Sequence, residues 1–278
     1  MSTARQIGLI INPRRYLMSR HIPRKRFGQN FLVDQTVIAA IMAAIAPQAD
    51  DNMVEIGPGL GALTRPLLAR LRHLHVVEID RDIVSRLKQE FPAQSLTIHQ
   101  GDALKFDFAT LGRNLRVVGN LPYNISTPIL FHLAQGVRHI RDIHVMLQKE
   151  VVERMVAAPS SPDYGGLSVM LQYRFDLEKV LDVPAVAFRP APQVESAVVR
   201  LLPLQRAAAD ACDEDLLEKI VMSAFAQRRK TLRNTLKARF SEADFTALGI
   251  DPGVRAQDLR VSDFVRMTNH AALRGAPA

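Results

Sequence analysis

The sequence predicts an α/β fold, a mostly parallel sheet flanked by helices, followed by a small all-helical C-terminal domain. Short apolar runs alternate with helix-length stretches from residue 53 to about residue 158. Three glycines at alternate positions join the first of these runs to the next helix, and beyond Asp213 only helical patterns remain. A length of 278 residues suits two unequal domains, and 47% apolar with 23% charged residues is ordinary globular composition, able to bury a sizeable core.

In chain order, DQTVIAAIMAAIAPQ sets Val37, Ile38, Ile41 and Ile45 on one helical face behind an Asp34 cap, and Pro47 helps to end that helix. NMVEIG reads as a strand, residues 62–73 as a 12-residue helix, HVVEID as a strand, residues 81–91 as a helix and SLTIHQ as a strand. LRVVGN and IHVMLQ add two apolar strands, which argues for parallel pairing with both faces covered. PSSPDYGG, residues 159–166, is a loop, after which LQYRFDLEKVLDV and ESAVVRLLPL read as antiparallel strands closing the sheet. The polar run RAAADACDED places a boundary near residue 206. The expected organisation is a flexible basic arm over 1–22, a ligand-binding domain over 23–205 and a helical domain over 206–278. Met18 is a second plausible start, so residues 1–17 are given no structure.

The net charge of +8 points first to a polyanionic partner, and its placement says more than its sum. Residues 1–27 hold seven basic side chains and no acid, leaving 29 basic against 28 acidic groups in the rest. A second acid-free block, FAQRRKTLRNTLKARF, carries Arg228, Arg229, Lys230 and Arg233; it is either a polyanion contact or the solvated face of an amphipathic helix. The single cysteine, Cys212, excludes an internal disulfide and any cysteine-rich zinc site, and fits a reducing cytoplasm. No apolar run approaches the roughly 18 residues of a membrane span, and no secretory leader is evident. No metal site is expected.

In VEIGPGLGALT a strand runs into Gly57, Gly59 and Gly61 and then a helix, a backbone that turns sharply and lets a ligand come close. Gly57, Gly59 and Ala62 also satisfy a dinucleotide pattern, which keeps a dehydrogenase open. Glu78 follows Gly57 by 21 residues at the end of the next strand, where a carboxylate reaches a ribose diol, and Asp102 follows the third strand at the same sheet edge. Glu55, just before the loop, suits a sulfonium cation with an amino group better than two phosphates.

GNLPYNIS, residues 119–126, ends the fourth strand beside that crevice. The exocyclic amine of adenine is a poor nucleophile because its lone pair is delocalised into the ring. An Asn120 side-chain oxygen and the Leu121 carbonyl, accepting its two hydrogens, favour the pyramidal geometry that aims the lone pair at a methyl donor. Pro122 stiffens the turn, and Tyr123 offers a flat face for the base, with stacking worth roughly 1–3 kcal/mol. No general base is required, since the proton leaves after attack. Phe188, held between Pro190 and Pro192 and a late strand, is either a second plate for the base or a core anchor.

RKRFGQNFLVD, VEIGPGLGALT, VVEID, QGDALKFDF, GNLPYNISTPILF, MLQKEVVERMVA, FRPAPQVESAVVRL and FAQRRKTLRNTL, in this order, resemble the small-subunit ribosomal RNA adenine N6-dimethyltransferases, the KsgA type, from about Arg24 to about Asn269. The resemblance implies a Rossmann-like class I methyltransferase sheet. It implies S-adenosyl-L-methionine held by Asn30, Leu32, Gly57, Gly59, Glu78, Asp102 and Asn120, and a target amine held by Asn120 and Leu121 between Tyr123 and Phe188. The implied substrate is two adjacent adenines in a terminal hairpin of small-subunit (16S) rRNA within an immature 30S-type particle. The enzyme would act in the cytoplasm as a monomer, with a role in late assembly. Arg24, Lys25, Arg26, Arg228, Arg229, Lys230 and Arg233 are the expected RNA contacts. Two positions depart from the family pattern: Gly166 stands where a basic residue is usual and Gln193 where Lys is frequent, each removing a cation expected near the base pocket. The rivals are the related large-subunit rRNA methyltransferase of the antibiotic-resistance type and a non-catalytic assembly or transcription factor on the same fold.

Overall fold

The computed structural model describes residues 30–204 and 211–275. The basic arm, Arg24, Lys25 and Arg26, and the expected boundary near residue 206 lie outside the described residues. A two-residue strand β1 (Phe31–Leu32) leads into α1 (Gln35–Ile45), where the Asp34 carboxylate accepts from the Thr36 and Val37 amides at 2.8 and 3.1 Å. The helix stops at Ala46 in the left-handed conformation, directly before Pro47.

The alternation follows: β2 (Met53–Ile56), α2 (Thr64–Leu68), β3 (Leu74–Glu78), α3 (Arg81–Glu90), β4 (Leu96–Gln100), β5 (Leu115–Asn120), α4 (Ser126–Gln135), β6 (Ile140–Gln148) and α5 (Lys149–Val156). α2 is five residues, not twelve. Residues 60–63 are spent on turns around Gly61, and after Leu68 the Arg70 and Leu71 amides fold back onto the Leu67 carbonyl so that the chain re-enters the sheet. Where the sequence suggests one long strand, α6 (Gly166–Gln172) precedes β7 (Phe175–Val183). β8 (Phe188–Arg189) pairs with β1, and β9 (Ser196–Pro203) completes the sheet.

The sheet order is β4-β3-β2-β5-β6-β9-β7. β4, β3, β2, β5 and β6 are parallel neighbours, and β9 runs antiparallel to both β6 and β7. β7 therefore runs with the parallel strands, and β9 alone is reversed. Successive residues of β2 and β5 feed two cores: Val54, Ile56, Leu115 and Val117 pack with α4 and α5, whereas Met53 and Val118 pack with α1 and α2. Ligands of such open sheets bind beyond the carboxyl ends of the strands where the winding direction reverses, here between β2 and β5. At the opposite edge the buried Arg116 guanidinium bonds Asp142 at 3.0 Å, Asp51 at 2.5 Å and the Ile45 carbonyl at 2.6 Å, tying β5, β6, α1 and the loop before β2 together.

α7 (Glu214–Phe225), α8 (Leu232–Thr235), α9 (Glu242–Leu248) and α10 (Val261–Gly275) form the C-terminal part. Their core is shared with Tyr164, Val169, Met170 and Tyr173, so α6 and the loop before it are the surface on which these helices sit. The basic block is not one amphipathic helix. Residues 226–230 are turns, then the four-residue α8 buries Leu232 and sends Leu236 and Phe240 inward behind it.

Candidate active site

A crevice of about 620 Å³ opens at the carboxyl ends of β2, β3 and β5. Gly57, Gly59 and Gly61 all take positive φ, at 66°, 53° and 82°, which side-chain-bearing residues rarely adopt. A Cβ on Gly59 would also meet the Phe31 ring at 3.2 Å, so the loop and β1 close on each other. Gly119 has a role that its place inside a strand hides. A Cβ there would lie 2.5 Å from the Ile56 carbonyl oxygen, so only glycine lets the end of β5 sit against the end of β2.

Two buried carboxylates stand beneath and beside the loop. Glu55, 2% exposed, accepts from the Thr64 hydroxyl at 2.6 Å. Burial pushes its carboxyl up to about 7; Thr64 opposes this, the Glu78 charge adds to it, and Arg65 opposes it again. Glu78 accepts from the Asp80 amide at 2.8 Å; burial raises its pKa too, with the amides of Asp80, Ile79 and Gly59 pulling the other way. Asp102 caps a short turn by accepting from the Leu104 amide at 3.0 Å. Arg65, whose alternatives on a helix face are many, turns back to donate to the Leu60 and Gly61 carbonyls at 2.8 and 3.1 Å and to Glu90 at 2.6 Å, so it fastens the glycine loop to α3.

Asn120 ends β5 facing the crevice. Its amide nitrogen donates to the Asn30 carbonyl at 3.1 Å, which fixes the side-chain plane and leaves Oδ1 as an acceptor. The next residue is pinned through its own amide, Leu121 to the Met146 carbonyl at 3.1 Å, and among the described residues no backbone hydrogen bond takes the Leu121 carbonyl. Tyr123 follows in a turn closed by the Ile125 amide on the Pro122 carbonyl at 3.1 Å. Asn30, Leu32, Gly57, Gly59, Glu78 and Asp102 line the crevice together with these three.

Phe188 does not. It is 1% exposed and lies in the buried cluster that contains Leu32 and Val198, because β8 is stitched to β1 and its ring enters the apolar layer beneath. Of the two roles open in the sequence, the core anchor is the one this structure displays. Gly166 also corrects an expectation: it begins α6, and a Cβ there would touch Val221 at 3.6 Å, so it belongs to the α6–α7 contact rather than to the base pocket. Gln193 is exposed and does not line the crevice. Among the basic residues, Arg229 and Lys230 are exposed, Arg228 donates to the Pro162 carbonyl, and Arg233 pairs with Glu242 at 2.6 Å in an exposed ion pair.

The ribosomal RNA adenine dimethylase profile matches residues 20–273. The chain belongs to the ribosomal RNA adenine dimethylase family. It is 64% identical over 260 residues to ribosomal RNA small subunit methyltransferase A of Chromobacterium violaceum, covering 93% of this chain and 99% of the relative. It is 63% identical over 254 residues to the protein of the same name from Thiobacillus denitrificans, covering 91% and 100%. A crystal structure of a dimethyladenosine transferase from Plasmodium falciparum superposes with a TM-score of 0.71 at 25% identity, covering 85% of this chain and 95% of that one. The structure of the 23S rRNA methyltransferase ErmE gives 0.69, also at 25%, covering 87% and 100%.

Membership of this dimethylase family makes the chain an S-adenosylmethionine-dependent rRNA adenine dimethyltransferase and removes the dehydrogenase reading. The residues present fit that cofactor: a glycine loop at positive φ that side-chain-bearing residues rarely adopt, Glu78 oriented by a backbone amide and a buried carboxyl in Glu55. Among the described residues no three metal-ligating side chains converge, and no helix is long and apolar enough to cross a membrane.

The raised Glu55 carboxyl makes stability depend on pH with a definite sign. Between its unfolded value near 4.5 and its folded value near 7, the folded chain holds a proton that the unfolded chain has lost, so the ligand-free protein loses stability as pH rises through that window. Glu55→Gln, which keeps the neutral shape, removes this loss. Urea unfolding without ligand at pH 5 and pH 8 checks it: the parent falls relative to the variant by up to about 3 kcal/mol, and parallel pH profiles would show that Glu55 is ionised throughout.

Proposed function

We propose that this dimethylase converts two adjacent adenines of the terminal small-subunit (16S) rRNA hairpin to N6,N6-dimethyladenosine, acting on an immature small-subunit particle late in assembly. The names of the relatives at 64% and 63% identity support the small-subunit assignment over the large-subunit one, since the 23S rRNA enzyme shares the fold at 25%. The observation that carries the chemistry is the hydrogen bond from Asn120 Nδ2 to the Asn30 carbonyl. It leaves two acceptors, Asn120 Oδ1 and the Leu121 carbonyl, for the two hydrogens of one amine.

S-adenosylmethionine supplies an electrophilic methyl carbon on its sulfonium. The chain does the rest. Asn30, Leu32, Gly57, Gly59, Glu78 and Asp102 hold and orient the cofactor, and the two acceptors draw the adenine amine out of conjugation so that its lone pair faces the methyl group. Tyr123 stacks on the extruded base and offsets part of the few kcal/mol that unstacking costs. Phe188 is given the support of β1 beneath the site; acting as a second plate would require its ring to leave the core. Once the amine carries the methyl group it is cationic and acidic, and its proton passes to solvent without a dedicated base. After the first transfer one N–H remains for two acceptors, so room beside Asn120 decides the second.

Arg24, Lys25 and Arg26 with Arg228, Arg229 and Lys230 serve the phosphate backbone, joined by Arg233 when phosphate competes for it with Glu242. Asn120→Ala is expected to abolish methylation of small-subunit particles while S-adenosylmethionine binding weakens but stays measurable; mass spectrometry of the nucleosides reads the first and calorimetry the second. A near-parental rate would remove Asn120 from the chemistry. Contact with about six phosphates of single-stranded character gives a log–log salt slope of about −4. Replacing Arg228, Arg229 and Lys230 with Ala flattens that slope in a filter-binding titration, and an unchanged slope would return the three to plain solvated surface.

A further inference from the structure

Tyr123 is held at two ends. Its carbonyl accepts from the Ser126 hydroxyl at 2.8 Å, and its phenol oxygen lies 2.7 Å from the hydroxyl of Ser196, which is fully buried. Ser196 opens β9, and its partners across the sheet are Gln148 at the end of β6 and Val183 at the end of β7. The residue before it is fastened as well, since the Lys149 amide donates to the Glu195 carbonyl at 3.0 Å and the Lys149 ammonium reaches the Glu195 carboxylate at 2.9 Å. The reason Ser196 can be there is topological. β9 is the reversed strand, so its beginning, not its end, lies at the carboxyl edge of its neighbours, beside the crevice.

We propose that Ser196 is a positioning residue that fixes the direction of the Tyr123 ring axis, so that the platform for the extruded adenine is in place before the base arrives. The inference rests on the reading of Tyr123 as that platform. A tyrosine on a turn can swing about its first side-chain torsion unless its far end is anchored, and a surface that must be ordered on binding binds more weakly than one already ordered. A hydroxyl on a strand hydrogen-bonded on both sides is about as rigid an anchor as a protein offers. It anchors the ring at its far end, and Tyr123 lines the crevice. Burial raises the phenol pKa, with the Ser196 bond partly opposing, so the phenol stays neutral.

The test is a double-mutant cycle on Ser196→Ala and Tyr123→Phe with Tyr123→Ala beside it, assayed on small-subunit particles that lack the modification. Each of the two conservative changes is expected to lower kcat/KM for the particle by about three- to tenfold, the loss of one net hydrogen bond. The double variant is expected to be no worse than either single one, because both remove the same contact. The Kd for S-adenosylmethionine should stay at the parental value in both variants, so that the loss falls on the particle alone, which a merely structural serine would not require. Additive losses, or loss in Ser196→Ala with none in Tyr123→Phe, would overturn the positioning role and leave Ser196 as strand packing. If Tyr123→Ala is inactive while both conservative changes are silent, the positioning inference fails alone; if Tyr123→Ala methylates like the parent, the platform reading fails with it.

Discussion

The site depends on a hydrogen bond between residues 90 apart in the chain, from the Asn120 side-chain amide to the Asn30 carbonyl. An asparagine amide offers a donor end and an acceptor end with similar shape, and the proposed chemistry needs the acceptor end turned toward the crevice. By taking the donor end, the Asn30 carbonyl chooses the orientation. β1 presents that carbonyl because it is paired with β8, and β8 is anchored by the buried Phe188 ring. A core aromatic, a two-residue strand pair and one amide hydrogen bond thus form a single chain of support leading to Asn120.

The same logic of close approach governs the other half of the crevice. Gly119 lets β5 lie against β2, which brings the Asn120 and Leu121 backbone to the edge of the glycine loop; a Cβ on Gly57 would come within 3.8 Å of the Asn120 carbonyl oxygen. Arg65 fastens the loop from the α3 side, and the Phe31 ring covers Gly59 from the β1 side. Burial of the Glu55 carboxyl beneath the loop raises its pKa to about 7, so the empty protein holds it protonated below that pH and a cation beside it would favour its ionised form.

Much of this was legible in the sequence because it is local. Asp34 before an apolar helix period, three glycines between a strand and a helix, and Glu78 and Asp102 at strand ends all act within a few residues of where they are written. The remainder depends on contacts that no local pattern encodes. Ser196 meets Tyr123 across 73 residues, and a serine opening a strand gives no hint of a partner. α6 is not legible because GLSVMLQ is seven residues long and its first residue, with the Gly165 cap before it, makes a glycine pair that reads as loop. Gly166 lies at a helix contact because α6 exists. Arg65 looks like a surface cation until its guanidinium is seen on the Leu60 and Gly61 carbonyls. Phe188 was undecided between plate and core because its flanking prolines fix the backbone and not the ring.

The chemistry turns on where the adenine amine sits, and a crystal structure of the enzyme with a non-reactive cofactor analogue and an rRNA hairpin bearing the target adenines measures that directly. The predicted result is the adenine N6 within about 3 Å of both Asn120 Oδ1 and the Leu121 carbonyl oxygen, with the Tyr123 ring parallel to the base. An amine bonded to neither oxygen, with Asn120 Nδ2 released from Asn30, would contradict it.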